Sequence, residues 1–245
     1  MLEKSPDNHM FMRLIAENLR QLQEIYMQQG KIENATSVSP ALLSIRKRLF
    51  EAAPDDFSNT GTLIEALLGH SESVGAEAPE AGRKSARDCI DIIDRAEIEK
   101  GSIEAEILQI LKAQAISNLA FFSIVSDDAA GALTLAERAE SVLPKVLTHR
   151  ELEEMRAMTA VLIYRNRAEA HINLQQTDAA IAAIHSVLKA QLAVMEFKPD
   201  DLTELATLAT YYVELSDSAK SKLPLEYEAT ARKALRMLQE SRTAE

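Results

Sequence analysis

Apolar residues recur at three- and four-residue spacing along nearly the whole chain and never alternate at strand length, which is the period of amphipathic helices. Ile116, Leu119, Ala120 and Ser123 share one helix face, the polar pair Asp127-Asp128 breaks it, and Ala132, Ala136, Ala139 and Pro144 follow. Tyr164, Ala168 and His171 repeat the arrangement, with a turn at Gln175-Gln176-Thr177-Asp178 and then Ala180, Ile184, Val187 and Leu188. A third copy has Leu205, Leu208, Ala209 and Tyr212, then Tyr227, Ala231, Ala234 and Leu235. The copies lie about 45 residues apart, a period that points to stacked supersecondary units. Their small residues let two antiparallel helices approach closely.

Start and stop signals divide the chain into about ten helices. Residues 8–29 form the first, stopped by Gly30. Ser39-Pro40 reads as a cap and first-turn proline for the second, which runs to residue 53 before Pro54-Asp55-Asp56. The third covers 58–73, and the fourth reaches residue 99 after the turn at 75–79. Ser102 opens a long fifth over 102–126; the sixth, seventh and eighth cover 128–143, 149–175 and 178–196. Residues 201–215 and 224–240 complete the set. Paired in order through short connections, these segments make about five antiparallel hairpins.

The bulky, Leu, small and aromatic positions on one helix, followed by Ala, bulky, Ala and Pro on the next, resemble the tetratricopeptide repeat. The clearest copies span about 110–145, 158–196 and 201–240, and diverged copies span about 8–54 and 58–99. The resemblance implies an all-α, right-handed superhelix, an α-solenoid of about five hairpins, with residues 1–245 as a single domain. Two features depart from the family pattern: the strict repeat is shorter, at about 34 residues, and Trp is absent. A HEAT-like array of hairpins satisfies the same spacing.

Composition narrows the function. Apolar residues make up 47% of the chain and aromatics only 4%, so the core is built from Leu, Ile, Ala and Met. A net charge of −11 argues against a nucleic-acid backbone as ligand, because phosphate contacts need a basic face. The basic clusters at Arg46-Lys47-Arg48, at Arg83-Lys84 with Arg87 and at Arg232-Lys233 with Arg236 sit beside acids and read as solvated helix faces. The single Cys89 excludes an intramolecular disulfide and a cysteine zinc site, and it reads as a small buried hydrophobe. The N-terminal residues lack a secretory pattern, and the longest nearly apolar stretch, residues 116–125, is about half a membrane span. A cytoplasmic protein without membrane contact is the expectation.

No chemistry-bearing motif stands out. The five histidines have no Glu-x-x-His or His-Glu-x-x-His setting, and the glycines form no phosphate loop. Catalytic, cofactor and metal sites are therefore all expected to be absent. In a stack of hairpins the first helix of each pair lines the concave side. Helical periodicity then assigns Gln114, Ser117, Phe121 and Val125 to a groove on the fifth helix. On the seventh it assigns Leu162, Arg165, Glu169, Ile172 and Asn173, and on the ninth Thr203, Ala206, Thr210 and Val213; Asn166, next to Arg165, joins the candidate set for its amide. Arg165, Asn166 and Arg167 put two cations and an amide within one turn, with pairing to Glu169 as the structural alternative.

Some tetratricopeptide proteins clamp chaperone tails with Lys, Asn and Arg; of that clamp only Asn166 is present, so a chaperone-tail co-adaptor is not expected. The sequence thus points to a non-catalytic adaptor that binds a protein or peptide in a concave groove. Rivals with the same architecture are a peptide- or metabolite-responsive regulator and a secretion or assembly chaperone, with an enzyme of unknown type behind them. The oligomeric state is left open.

Overall fold

The computed structural model describes residues 9–74 and 77–197, together with Ala206, Ala209, Thr210, Ala229, Arg232, Leu235 and Arg236. Among the described residues the protein is all-helical. Its α-helices are α1 (His9–Gln28), α2 (Ile32–Ala52), α3 (Phe57–Val74), α4 (Pro79–Arg95), α5 (Ile103–Val125), α6 (Ala129–Val142), α7 (Glu153–Asn173) and α8 (Thr177–Phe197). A 3₁₀ turn, Arg150–Leu152, leads into α7. The seven residues described singly beyond residue 197 are helical; the rest of the two expected C-terminal helices, Thr203 included, lies outside the described residues.

Contacts divide the chain into two compact units, residues 1–98 and 99–245. In the first unit α1 packs on α2, α2 on α3 and α3 on α4. Met12, Ala16, Leu42, Ile45, Leu49 and Ala66 form one core cluster across α1, α2 and α3. Leu63, Ile64 and Leu67 of α3 and Ala86 and Cys89 of α4 are also buried. Burial pushes the Cys89 thiol up to about 12, as befits an inert apolar side chain.

In the second unit α5 packs on α6 and α7, and α7 on α6 and α8. Ala132, Ala136 and Ala139 of α6 and Ala120 of α5 are fully buried, and Ala168 of α7 nearly so. Ala209 is likewise buried. Alanine at these helix contacts leaves only a methyl group between the backbones. Helices α5 and α8 have the length and apolar composition of a bilayer span, with mean hydropathy 1.4 and 1.3. The apolar window of α5 is 72% buried and that of α8 is 39% buried, so core packing accounts for most of the apolar surface of α5.

Helix ends follow local chemistry. Ser102 caps α5 by accepting from the Ala105 N–H, and Asp128 caps α6 by accepting from the Gly131 N–H at 2.9 Å. The Asp128 carboxylate lies so close to Gly131 that a Cβ there would sit 2.0 Å from Oδ2. α1, α5 and α7 end in the same Schellman turn, with Gly30, Asp127 and Gln175 at φ +68°, +58° and +58°. The bonds recur in register: Lys31 N–H to Tyr26 O, Asp128 N–H to Ser123 O and Gln176 N–H to His171 O, at 2.8 to 2.9 Å.

Three sequence expectations need correction. Pro40 lies inside α2, which starts at Ile32 rather than at a Ser39 cap. The Thr36 hydroxyl donates to Ser73 O at 2.6 Å and buried Ser39 pairs with His70 Nδ1 at 2.9 Å, so contacts with α3 hold the two turns that precede the proline. α4 ends at Arg95, where Ala96 turns extended, not at residue 99. Arg46 is buried, not solvated, and faces Glu17 of α1 at 3.7 Å. Lys84, by contrast, is exposed and pairs with Asp88 on its own helix, as a solvated face should, whereas Arg83 pairs with Glu80 but keeps only 16% of its side chain exposed.

Candidate functional site

A concavity of about 560 Å³ opens against α7 within the second unit. Met155, Met158 and Leu162, spaced three and four residues apart, give it an apolar stripe from α7, and Val194 of α8 adds to it. Arg165 of α7 and Gln114 of α5 supply polar groups, and Glu151 and Glu154 stand where α7 begins. Its volume falls in the range of small-ligand and side-chain pockets. A second concavity of about 590 Å³, between Phe50, Phe57, Thr60, Ile92 and Arg95 in the first unit, gathers none of the residues picked out by the sequence.

Two buried polar clusters fix the walls of the α7 concavity. Asn166 Nδ2 donates to Ser117 O at 2.8 Å and to Ser117 Oγ at 2.9 Å, and both residues are buried. This staple sets the spacing of α5 and α7. Near the start of α5, the Glu106 carboxylate accepts from Thr148 N–H at 2.7 Å, from His149 N–H at 3.1 Å and from His149 Nδ1 at 3.0 Å. The Thr148 bond chiefly, with His149 behind it, holds the Glu106 carboxyl down at about 2. Glu106 therefore anchors the connection that delivers Glu151 and Leu152 to the concavity.

A third link ties α7 to α6. Arg167 Nη1 donates to Glu140 Oε2 at 2.8 Å, and the Tyr164 hydroxyl donates to Glu140 Oε1 at 3.2 Å. Burial first, and the Glu140 charge second, push the Tyr164 hydroxyl above its ordinary range. His171 is buried and its Nδ1 donates to Gln176 Oε1 at 2.7 Å, a packing and turn-fixing role.

The structure thus separates the groove residues read from periodicity. Gln114 and Arg165 line the concavity, together with Leu162. Ser117 and Asn166 do not present themselves to a groove, since they are consumed by the α5–α7 staple. Phe121 is half-buried and packs edge-on against fully buried Phe122, with ring centroids 5.3 Å apart; it is not among the residues lining the concavity, and neither is half-buried Val125. Glu169, Asn173 and Thr210 are exposed outside it. Of the trio Arg165, Asn166 and Arg167, only Arg165 stays exposed, and among the described residues it forms no ion pair with Glu169. Met155 and Met158 were missed because the periodic reading of the seventh helix began at Leu162. Their signal was the continuation of the Leu162–Arg165 face one and two turns toward the N-terminus.

Among the described residues no three of His, Cys, Asp and Glu come together as a metal site. What the arrangement offers chemically is adaptable apolar surface beside a guanidinium, an amide and two carboxylates. Among the described residues the fold is all-helical, with helices that pack on their neighbours in sequence. Compared with known proteins, no family model matches this sequence and no curated protein matches it.

Proposed function

We propose that this chain is a non-catalytic interaction module whose helical hairpins are diverged tetratricopeptide-like repeats in a right-handed superhelical array. In this reading it works in the cytoplasm as an adaptor, and α7 presents the binding surface for a peptide segment of a protein partner. One observation carries the reading: a 560 Å³ concavity pairs the methionine and leucine stripe of α7 with the exposed guanidinium of Arg165. Methionine side chains repack around varied apolar shapes, and arginine with its planar donors is a frequent interface anchor. The partner chemistry that suits this lining is an apolar anchor residue flanked by an acceptor, a carboxylate or backbone carbonyl, that reaches Arg165.

Selection of a displayed peptide library on the immobilised full chain tests this. Enriched peptides should share an apolar anchor and lose roughly tenfold or more in affinity to the Met158→Ala/Arg165→Ala variant, the loss of hot-spot contacts. Lys84→Ala, on the solvated face of α4, should bind as the parent does. Absence of enrichment, or equal binding by the double variant, would remove α7 as the site.

A further inference from the structure

Helices α2 and α4 both pack on α3 and form the two banks of a groove over it. Lys47 of α2 pairs with Asp88 of α4 at 3.9 Å and closes one end. Beside that pair lies a concavity of about 360 Å³ floored by buried Leu63 and Leu67 of α3. Phe50 of α2 and Ile92 and Arg95 of α4 line this concavity and also the larger one of about 590 Å³, so the two adjoin and run toward the C-terminal ends of both helices. There Pro54, Phe57 and Ile98 continue the apolar lining. Phe50, Phe57, Ile92 and Ile98 are each half-buried and keep apolar surface in contact with water.

The charge around this apolar surface is one-sided. Glu51, Asp55, Asp91 and Glu97 line the groove and are exposed, and among the described residues none of them is held in an ion pair. Lys47 is spent on Asp88, which leaves Arg95 to oppose them. Two helix ends add to the same sign. α2 stops at Ala52 and α4 at Arg95, with Pro54, Asp55 and Ala96 just beyond them on the wall of the larger concavity. The C-terminal end of a helix carries partial negative charge on carbonyls that lack intrahelical donors. Phenylalanine rings also attract a cation placed over their faces.

We propose that this groove docks a basic amphipathic segment of a protein partner. A bulky apolar side chain seats on Phe50, Phe57 and Ile92, and lysines or arginines beside it reach Glu51, Asp55 and Asp91. Charge complementarity selects this occupant: an acidic segment meets like charge along both banks, and a second copy of this chain brings a net charge of −11 to the same carboxylates. A purely apolar segment leaves those carboxylates partly desolvated and unpaired. The groove belongs to the first unit and shares no lining residue with the concavity on α7, so this inference is independent of the α7 reading.

Fluorescence anisotropy on the full chain tests it, with a labelled peptide of about 14 leucines and lysines, leucines at helical spacing, in about 0.15 M salt. The peptide should bind in the micromolar range and should lose roughly tenfold or more when glutamate replaces its lysines or alanine its central leucines. Glu51→Lys/Asp91→Lys should weaken binding by roughly tenfold or more. Glu137→Lys/Glu196→Lys, the same change of charge at exposed positions outside the groove, should cost less than about threefold, because distant exposed charges are screened. All four acids are exposed, so circular dichroism of both variants should match the parent. Met158→Ala/Arg165→Ala should bind this peptide as the parent does, which separates the groove from the α7 site. Equal losses in the two charge-reversed pairs would show that general attraction to an acidic protein holds the peptide, and would overturn the proposal. So would binding that survives removal of the leucines, no binding at about 100 µM, or displacement of the peptide by an equal concentration of spermidine, the mark of a small-cation site.

Discussion

Replacing Asn166 by alanine should destabilise the second unit by about 2–4 kcal/mol, through loss of two buried hydrogen bonds and the void left by the amide. Each bond contributes about 0.5–1.5 kcal/mol net, and removing one partner leaves the Ser117 hydroxyl without its donor in the core. Ser117 O has a second route to satisfaction, since helix geometry offers it the N–H four residues on. That keeps the estimate below the largest buried-polar penalties. Asn166→Asp should be worse, because a carboxylate oxygen would face Ser117 O at the 2.8 Å now spanned by an N–H donor. Asn166→Leu with Ser117→Ala should recover most of the loss, both polar partners being replaced by apolar groups of similar shape. The assay is urea unfolding by circular dichroism, paired with amide exchange on α5 and α7, because two compact units need not unfold together. An Asn166→Ala shift under about 0.5 kcal/mol would refute the staple; lost peptide binding at unchanged stability would return Asn166 to the groove.

Two further outcomes follow from the same geometry. Glu106 has a folded value of about 2 against an ordinary value of 4.5, so its stabilisation is complete above pH 4.5 and fades as pH falls toward 2. Glu106→Gln should therefore be less stable than the parent at pH 7, and the gap in thermal midpoint should close between pH 4.5 and 2; a gap independent of pH would refute the clamp. At the α7–α8 turn, exposed Gln175 holds φ +58°, a conformation that costs a side chain about 1–2 kcal/mol, partly offset in glycine by about 0.5–1 kcal/mol of chain entropy. Gln175→Gly should then gain about 0.5–1 kcal/mol in thermal unfolding, and a loss would show that the Gln175 side chain contributes contacts of its own.

Features set by neighbours in sequence were legible before the structure. The alanines at 120, 132, 136, 139 and 168 reveal themselves because close helix contacts tolerate only small residues at helical spacing, and all are buried. Gly30, the Asp127-Asp128 break and the Ser102 start are equally local signals. What failed depends on partners far along the chain. Ser39-Pro40 looks like a helix start in isolation; Thr36 and Ser39 are held as helix by Ser73 and His70, more than 30 residues away. Asn166 sits one helical position from the open face, and its partner Ser117 is 49 residues distant. Arg46 reads as solvated until α1 brings Glu17 beside it. Of the candidate groove, Gln114 and Arg165 line the concavity, while the methionines that give it its apolar stripe lie one and two turns before Leu162, where the periodic reading of the seventh helix starts.

The three hairpin turns show why the repeat is hard to read from sequence and yet regular in space. Gly30, Asp127 and Gln175 occupy one backbone conformation and close the same pair of hydrogen bonds, although only glycine favours it intrinsically. The turn residue therefore does not impose the geometry in the second unit. The small-residue contacts between paired helices do, with α6 laying Ala132, Ala136 and Ala139 along its buried side. A conformation that costs about 1–2 kcal/mol at one exposed position is tolerated where helix packing over several turns stabilises the pair by more. Residue size at the helix contacts then matters more to the fold than the chemistry of the turn residue. Turn residues thus carry little of the repeat signal, and the spacing of small residues carries most of it.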